Sequence, residues 1–280
     1  MNDGKGSQIS DDLRFQIPDP KYDGSRSSIW NPESGIRNLR SEIISPFRHA
    51  MAISNAMPVT NSDVTTLIFD WDGTLVDSAH LGLLAFQKAF AELGHVFPID
   101  IYESSYSPNW YTTYRALGLP EHLWKRADEL WLQHYGEETA ELIFGVGDTL
   151  TTLHQAGYCL GVVTSGSESR VTREINVSVL HGLLDAVICN EHITNKKPHP
   201  EGLQLALRKL NCNAHQTAYV GDAPEDIEMG KRSNVLTVGV RSNYPSSSRL
   251  LAAEPDIYVE SIAELTNHFT GGVGKMSDML

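Results

Sequence analysis

From about residue 64 onward, short apolar runs alternate with stretches whose apolar residues recur every three or four positions. The runs fall at Val64–Phe69, Tyr158–Thr164, Ala186–Cys189, Thr217–Val220, Leu236–Val240 and Asp256–Val259. Short apolar runs without polar alternation predict strands buried on both faces. Between them, Glu168 to Asn176 reads as a helix, and Leu203, Ala206, Leu207 and Leu210 follow Pro200 at helical spacing. Pro200 suits a first helical turn, where its missing N–H is no loss. Residues 145–157 predict a further helix, with Leu150 and Leu153 inward and Gly157 as its stop. This alternation predicts an α/β fold, a doubly wound parallel sheet with a Rossmann-like core.

Between the first two strands the strand signal disappears. Leu81, Leu84, Ala85, Ala89 and Phe90 form an apolar stripe over Ser78–Leu93, with Asp77 and Ser78 as candidate N-terminal caps. Ser107-Pro108-Asn109-Trp110 predicts another helix start. Pro120–Tyr135 is amphipathic, with Leu123, Ala127, Leu130, Trp131 and His134 on one side. Trp110, Trp124 and Trp131 read as core residues of this insert. The expected organisation is an α/β core from 64–84 and 146–270, an all-helical insert over 85–145 and a flexible tail over 271–280. Residues 1–63 are rich in Asp, Ser, Asn, Gly and Pro and predict a disordered extension. Within it, Ile36, Leu39, Ile43, Phe47 and Met51 recur at helical spacing, interrupted by Pro46, and read as a packing helix.

Four segments at strand ends or helix starts carry candidate chemistry. The first is Phe69-Asp70-Trp71-Asp72-Gly73-Thr74-Leu75-Val76-Asp77-Ser78. Two carboxylates at i and i+2, on a turn that Gly73 permits, can both reach the crevice beyond a strand's carboxyl end. One can attack phosphorus while the other moves a proton. Asp-Gly alone also suits an ordinary surface turn. In the second segment, Val163-Thr164-Ser165-Gly166, a hydroxyl and the amides of Ser165 and Gly166 can hold a phosphate oxygen at a helix start. Asn195-Lys196-Lys197-Pro198 supplies a cation to offset crowded negative charge. Val220-Gly221-Asp222-Ala223-Pro224-Glu225-Asp226 supplies carboxylates suited to a hard cation such as Mg2+.

Together, in this order, the four segments resemble the motifs of the haloacid dehalogenase superfamily in its phosphatase version, from about Val64 to Phe269. The resemblance implies a helical cap between motifs one and two. It makes Asp70 the nucleophile and Asp72 the general acid/base, and an acid at position 72 argues against dehalogenation. It places Mg2+ on Asp70, Asp72 (through the backbone carbonyl) and Asp222. Thr164, with Ser165 and Gly166, becomes the phosphate-binding group, and Lys197 rather than Lys196 the catalytic cation. Thr74 holds the motif's turn, and Asp226 braces the site or pairs with the lysine. Met57 would start a chain of the family's usual length. The opening motif looks most like phosphoglycolate phosphatases, which implies a small phosphorylated metabolite as substrate. The alternatives are a sugar-phosphate mutase of the β-phosphoglucomutase type, or a non-catalytic phosphate-binding module. The mutases usually carry a histidine early in the first cap helix; here Gly82 and Leu83 stand in that neighbourhood and His80 slightly before it.

Bulk properties narrow the partners. The 280 residues are 41% hydrophobic, enough for a substantial core and a smaller unit. A net charge of −13 gives nucleic acid no electrostatic footing, so anionic substrates must be drawn by local groups. No apolar stretch approaches the roughly 20 residues that span a bilayer. Cys159, Cys189 and Cys212 are odd in number and unpatterned, which favours a reducing cytoplasm. Nothing selects between a monomer and a homodimer.

Overall fold

The computed structural model describes residues 61–136 and 138–271. Six parallel strands form one sheet: β1 (Thr66–Phe69), β2 (Cys159–Val163), β3 (Ala186–Ile188), β4 (Thr217–Gly221), β5 (Leu236–Val240) and β6 (Ile257–Val259). Their spatial order is β3-β2-β1-β4-β5-β6. The chain therefore winds outward one way from β1 and then restarts at β4 on the other side. Each strand coincides with one of the apolar runs, and β1 is buried along its whole length.

Helices cover both faces, and the period-two alternation of the strands decides which residue meets which helix. Leu67 and Phe69 face one cluster, which takes Leu150 and Leu153 from α5 (Val146–Gln155), Val171 from α6 (Glu168–Val177) and Leu265 and Phe269 from α9 (Leu265–Phe269). Ile68 faces the other, with Leu203 and Ala206 of α7 (Glu201–Leu210) and Met229 of α8 (Pro224–Arg232). Full burial of each such side chain is worth about 1.5–3 kcal/mol relative to exposure.

Between β1 and β2 lie α1 (Ala79–Glu92), α2 (Ile99–Ser105), α3 (Trp110–Ala116) and α4 (Trp124–Tyr135). They share a separate core dominated by aromatic side chains, including Phe86, Phe90, Tyr102, Tyr106, Tyr114 and Trp131. Residues 84 and 85, the expected boundary, fall inside α1, and Ala79 and Leu81 already pack on this aromatic cluster. One isolated bridge joins Leu142 to Val76 where the chain returns to the sheet.

Several local expectations change. Ser78 stands at the N-cap position of α1 but makes no cap hydrogen bond. Its hydroxyl donates instead to Asp72 Oδ1 at 2.6 Å. The helix expected from Ser107 begins at Trp110, because Asn109 is still extended at φ −84° and ψ 96° and stands at the N-cap position. The stretch after Pro120 opens as a tight turn over Glu121–Leu123 before α4 starts at Trp124. Pro200 precedes α7, which starts at Glu201. The expectations for residues 1–60, including the stripe around Ile43 and Phe47, and for the tail after residue 271 lie outside the described residues. No helix among the described residues is long and apolar enough to cross a membrane.

Candidate active site

The functional side chains gather at the carboxyl ends of β1, β2 and β4, at the point where the strand order reverses. In doubly wound sheets the crevice for a ligand forms there. The register pairs Phe69 with Val162 on one side and with Val220 on the other, so Asp70, Thr164 and Asp222 leave the sheet on neighbouring strands. Two glycines make the approach possible. Gly73 has φ +79° and an added Cβ would lie 2.5 Å from Asp222 Oδ2. A Cβ on Gly221 would lie 2.4 Å from the Asp226 Cβ, so glycine is required for Asp226 to turn inward.

Asp70, Lys197 and Asp226 form a buried chain. Lys197 Nζ lies 2.7 Å from Asp70 Oδ1 and 2.8 Å from Asp226 Oδ1. Asp226 also accepts the Tyr219 hydroxyl at 3.3 Å and the Ala223 N–H at 3.0 Å, so its oxygens are committed to fixing Lys197. Asp222 accepts the Ser242 hydroxyl at 2.6 Å, and Thr74 donates to its other oxygen at 3.4 Å. Burial raises the Asp70 carboxyl to about 7 even though the Lys197 charge works against it. Asp222 is raised too, by burial and then by the Asp226 and Asp70 charges. Burial opposes the Lys197 charge, but Asp226 and Asp70 more than offset it, and the ammonium is held well above its usual value.

Asp70, Asp222 and Asp226 offer one carboxylate oxygen each within 4.8 Å of one another. Three buried acids face a single ammonium, and a divalent cation with oxygen preference would complete that balance. The donor set therefore fits Mg2+, with Asp70 and Asp222 as the natural side-chain ligands because Asp226 is already engaged.

Asp72 is held by residues that the sequence reading did not identify. Arg170, from α6, closes a fork on it, with Nη1 to Oδ1 at 2.9 Å and Nη2 to Oδ2 at 2.5 Å. Arg170 also reaches Glu174 at 3.1 Å, and both side chains are almost wholly buried. Burial opposes the guanidinium charge, but Asp72 and Glu174 offset it and raise its affinity for the proton. Glu174 in turn accepts the Trp71 indole N–H at 2.7 Å and the Tyr135 hydroxyl of α4 at 3.0 Å. Ser78, bonded to Asp72, also meets the Tyr244 hydroxyl at 3.0 Å. An opposite-charge pair at i and i+4 beside the buried Val171 was the one available signal for Arg170 and Glu174. Ser242 and Tyr244 lie on the loop after β5, which has no periodicity to read.

Thr164 is buried beside Asp70, but its Oγ1 accepts the Gly166 N–H at 2.9 Å. The Gly166 amide, expected to face phosphate, is thus occupied here. The amides of Trp71, Asp72 and Ser165 have no hydrogen-bond partner among the described residues. These N–H groups flank Asp70 and suit an anion. Lys196 lies apart from the acids, with its Nζ donating to Asn190 Oδ1 and 5.6 Å from the Tyr111 ring centroid. Cys189 and His192 are tied within one tight turn, the Cys189 N–H donating to His192 Nδ1 at 2.9 Å and the His192 N–H to the Cys189 carbonyl at 3.0 Å.

A narrow cavity lies over this floor, bounded by Asp70, Asp72, Asp222 and Thr164 below and by aromatic residues of the insert above. Trp110 and Trp131, read from sequence as core, both line it.

Residues 67–240 match the haloacid dehalogenase-like hydrolase family, and the chain belongs to that family. A pyrophosphatase PpaX from Listeria monocytogenes serotype 4b is 31% identical over 211 residues, covering 72% of this chain and 94% of the relative. A PpaX from Bacillus velezensis is 29% identical over 223 residues, covering 76% and 99%. The crystal structure of a "predicted phosphoglycolate phosphatase" from Haemophilus somnus 129PT superposes with a TM-score of 0.65 at 22% identity, covering 74% of this chain and 98% of that one. CbbY from Rhodobacter sphaeroides, bound to xylulose-1,5-bisphosphate, gives 0.62 at 20% identity, covering 72% and 96%. At those identities the two structures speak to the fold.

Proposed function

We propose that the chain is a Mg2+-dependent phosphatase that hydrolyses a small phosphorylated metabolite through an aspartyl-phosphate on Asp70. The observation that carries this reading is the buried Asp70–Lys197–Asp226 chain beside Asp222. An acid so fixed, under a cavity and next to unpaired amides, is suited to attack phosphorus. Lys197 aims Asp70 and offsets the charge that gathers as phosphate arrives. Bound Mg2+ would add positive charge at the phosphoryl oxygens.

In the first half-reaction an Asp70 oxygen forms the bond to phosphorus as the ester oxygen leaves with a proton from Asp72. In the second, Asp72 takes a proton from water as that water attacks the aspartyl-phosphate, restoring Asp70 and releasing phosphate. Asp72 can play both roles while held: its Oδ1 accepts Arg170 Nη1 and the Ser78 hydroxyl, whereas its Oδ2 accepts only Arg170 Nη2 and keeps a lone pair for the proton. The helical insert supplies the roof that limits bulk water. The relatives named pyrophosphatase support phosphoryl transfer to water, with the leaving group left to this chain's own cavity.

The mutase alternative loses support from the same cavity. His80 is exposed, and the α1 residues that line the cavity are Gly82 and Phe86. The non-catalytic reading is disfavoured by the presence of every acid and the lysine in one cluster. The test is incubation with Mg2+ and a panel of phosphate esters, following free phosphate and isomerised ester separately. Phosphate release that disappears in Asp70→Asn, with a hydroxylamine-sensitive phosphoprotein in the parent, is the expected result. Isomerised product without free phosphate would favour the mutase, and inertness toward the whole panel the binding module.

A further inference from the structure

The leaving-group side of the cavity is built differently from its phosphate side. Phe86, Trp110 and Trp131 form one aromatic wall, with Trp110 and Trp131 centroids 4.4 Å apart and Phe86 at 5.7 and 5.9 Å from them. Tyr106 and Tyr244 form a second, stacked at 5.1 Å. No lysine, arginine or histidine lines this cavity among the described residues. The nearest cations are committed: Lys197 to Asp70 and Asp226, and Arg170 to Asp72 and Glu174. A leaving group with a negative charge of its own would therefore sit unpaired among Asp70, Asp72 and Asp222.

Across Pro108, Trp110 and Ser165, which line both, lies a second cavity. Its lining sets Tyr111 and Leu132 beside a polar group of Asp128, Ser167, Asn190, Glu191 and Lys196. The one ammonium faces two carboxylates, so this cavity favours hydroxyl groups over a second anion. Asp128 already accepts the hydroxyls of Tyr111 at 3.2 Å and Tyr114 at 3.1 Å, which fix its orientation. Two hydroxyl oxygens, Ser167 Oγ in this cavity and Ser246 Oγ in the first, are buried with no hydrogen-bond partner among the described residues. Aromatic faces with a few convergent polar groups are the lining that binds a ligand with both apolar and hydroxyl-bearing faces.

We infer that the leaving alcohol is an uncharged polyol, a monosaccharide, that lays its C–H face on the Trp110–Trp131 wall and extends hydroxyls toward Ser246, Ser167 and Asp128. This rests on the phosphatase reading and narrows it away from both phosphoglycolate and pyrophosphate. Neither of those presents hydroxyls for the second cavity, and each would bring an unpaired anion beneath the aromatic roof.

The full chain with Mg2+ is assayed for phosphate release from glucose 6-phosphate, fructose 1-phosphate, ribose 5-phosphate, phosphoglycolate, pyrophosphate and p-nitrophenyl phosphate. A kcat/KM at least tenfold higher for one of the sugar phosphates than for phosphoglycolate or pyrophosphate is expected. Asp128→Leu, on the partly exposed side of α4, should then raise KM for that sugar phosphate about tenfold and leave kcat within twofold. Phosphoglycolate or pyrophosphate cleaved as well as the sugars would overturn the inference while leaving a phosphatase. An unchanged KM in Asp128→Leu would overturn the second cavity's part in it. No phosphate from any of the six substrates would overturn the phosphatase reading itself.

Discussion

Replacing Glu174 with alanine removes one carboxylate on which three elements converge. Trp71 of the motif-one turn donates to it at 2.7 Å, Tyr135 of α4 at 3.0 Å, and Arg170 of its own helix at 3.1 Å. All three donors belong to buried residues, so none can turn to solvent instead. Breaking a buried ion pair by deleting one partner costs about 3–5 kcal/mol. Each neutral donor left unsatisfied adds about 1–3 kcal/mol. Groups sharing one acceptor are not additive, and Arg170 keeps its fork on Asp72, so about 4–6 kcal/mol is expected. For a folded unit of about 200 residues, 1 kcal/mol moves the melting temperature by roughly 2–4 °C, which puts the fall at about 8–24 °C. Glu174→Gln keeps an acceptor for one donor and should lose about half as much. Scanning calorimetry and urea titration of the Mg2+-loaded protein measure both. A fall of less than 2 °C in Glu174→Ala would refute the account of this network.

Other expectations follow from the same geometry. Asp72→Asn should still form phospho-Asp70 from an activated ester such as p-nitrophenyl phosphate, then stall, giving a burst of one equivalent in rapid-quench experiments; steady turnover at the wild-type rate would contradict its role. Arg170→Lys keeps the charge but loses the two-pronged grip on Asp72, so kcat should fall at least tenfold with KM within about threefold; an unchanged kcat would show the fork to be incidental. In the metal-free protein, burial keeps Asp70 protonated up to about 7 against 3.8 for an ordinary aspartate, so its contribution to stability falls as pH rises through that window. Mg2+ competes with that proton, and the Mg2+-induced rise in melting temperature should be small at pH 5 and larger at pH 8. A Mg2+ effect independent of pH would contradict a site built on Asp70.

The parts legible in the sequence are those set by local pattern. Asp70 and Asp222 could be found because each ends an apolar run, and a strand's end in a doubly wound sheet is where a crevice lies. Lys197 and Asp226 needed the resemblance, since nothing local separates Lys197 from Lys196; burial does, with Lys197 2% exposed between two acids. The grip on Asp72 was out of reach because Arg170 is 98 positions away and Tyr244 meets Ser78 across 166. Ser78 shows how a sound local rule gives way: a serine before a helix is a natural cap, yet here its hydroxyl is drawn to a carboxylate six residues back. Trp131 shows a different limit. Helical spacing correctly buries it, at 4% exposure, but cannot say that its other face walls a cavity.

The same long-range contacts join the helical insert to the chemistry. Glu174 holds Tyr135 of α4 on one side and, through Arg170, Asp72 on the other. The Arg170 guanidinium also lies over the Tyr135 ring, 5.1 Å from its centroid. A shift of α4 relative to the sheet therefore disturbs Arg170 and Glu174 together with Trp131, which α4 itself carries into the cavity wall. The fork that orients Asp72 is thus set by residues that also touch the insert. In this fold the helical roof and Asp72 share one buried arginine, which forks onto the carboxylate and lies against Tyr135 and Trp131 of α4.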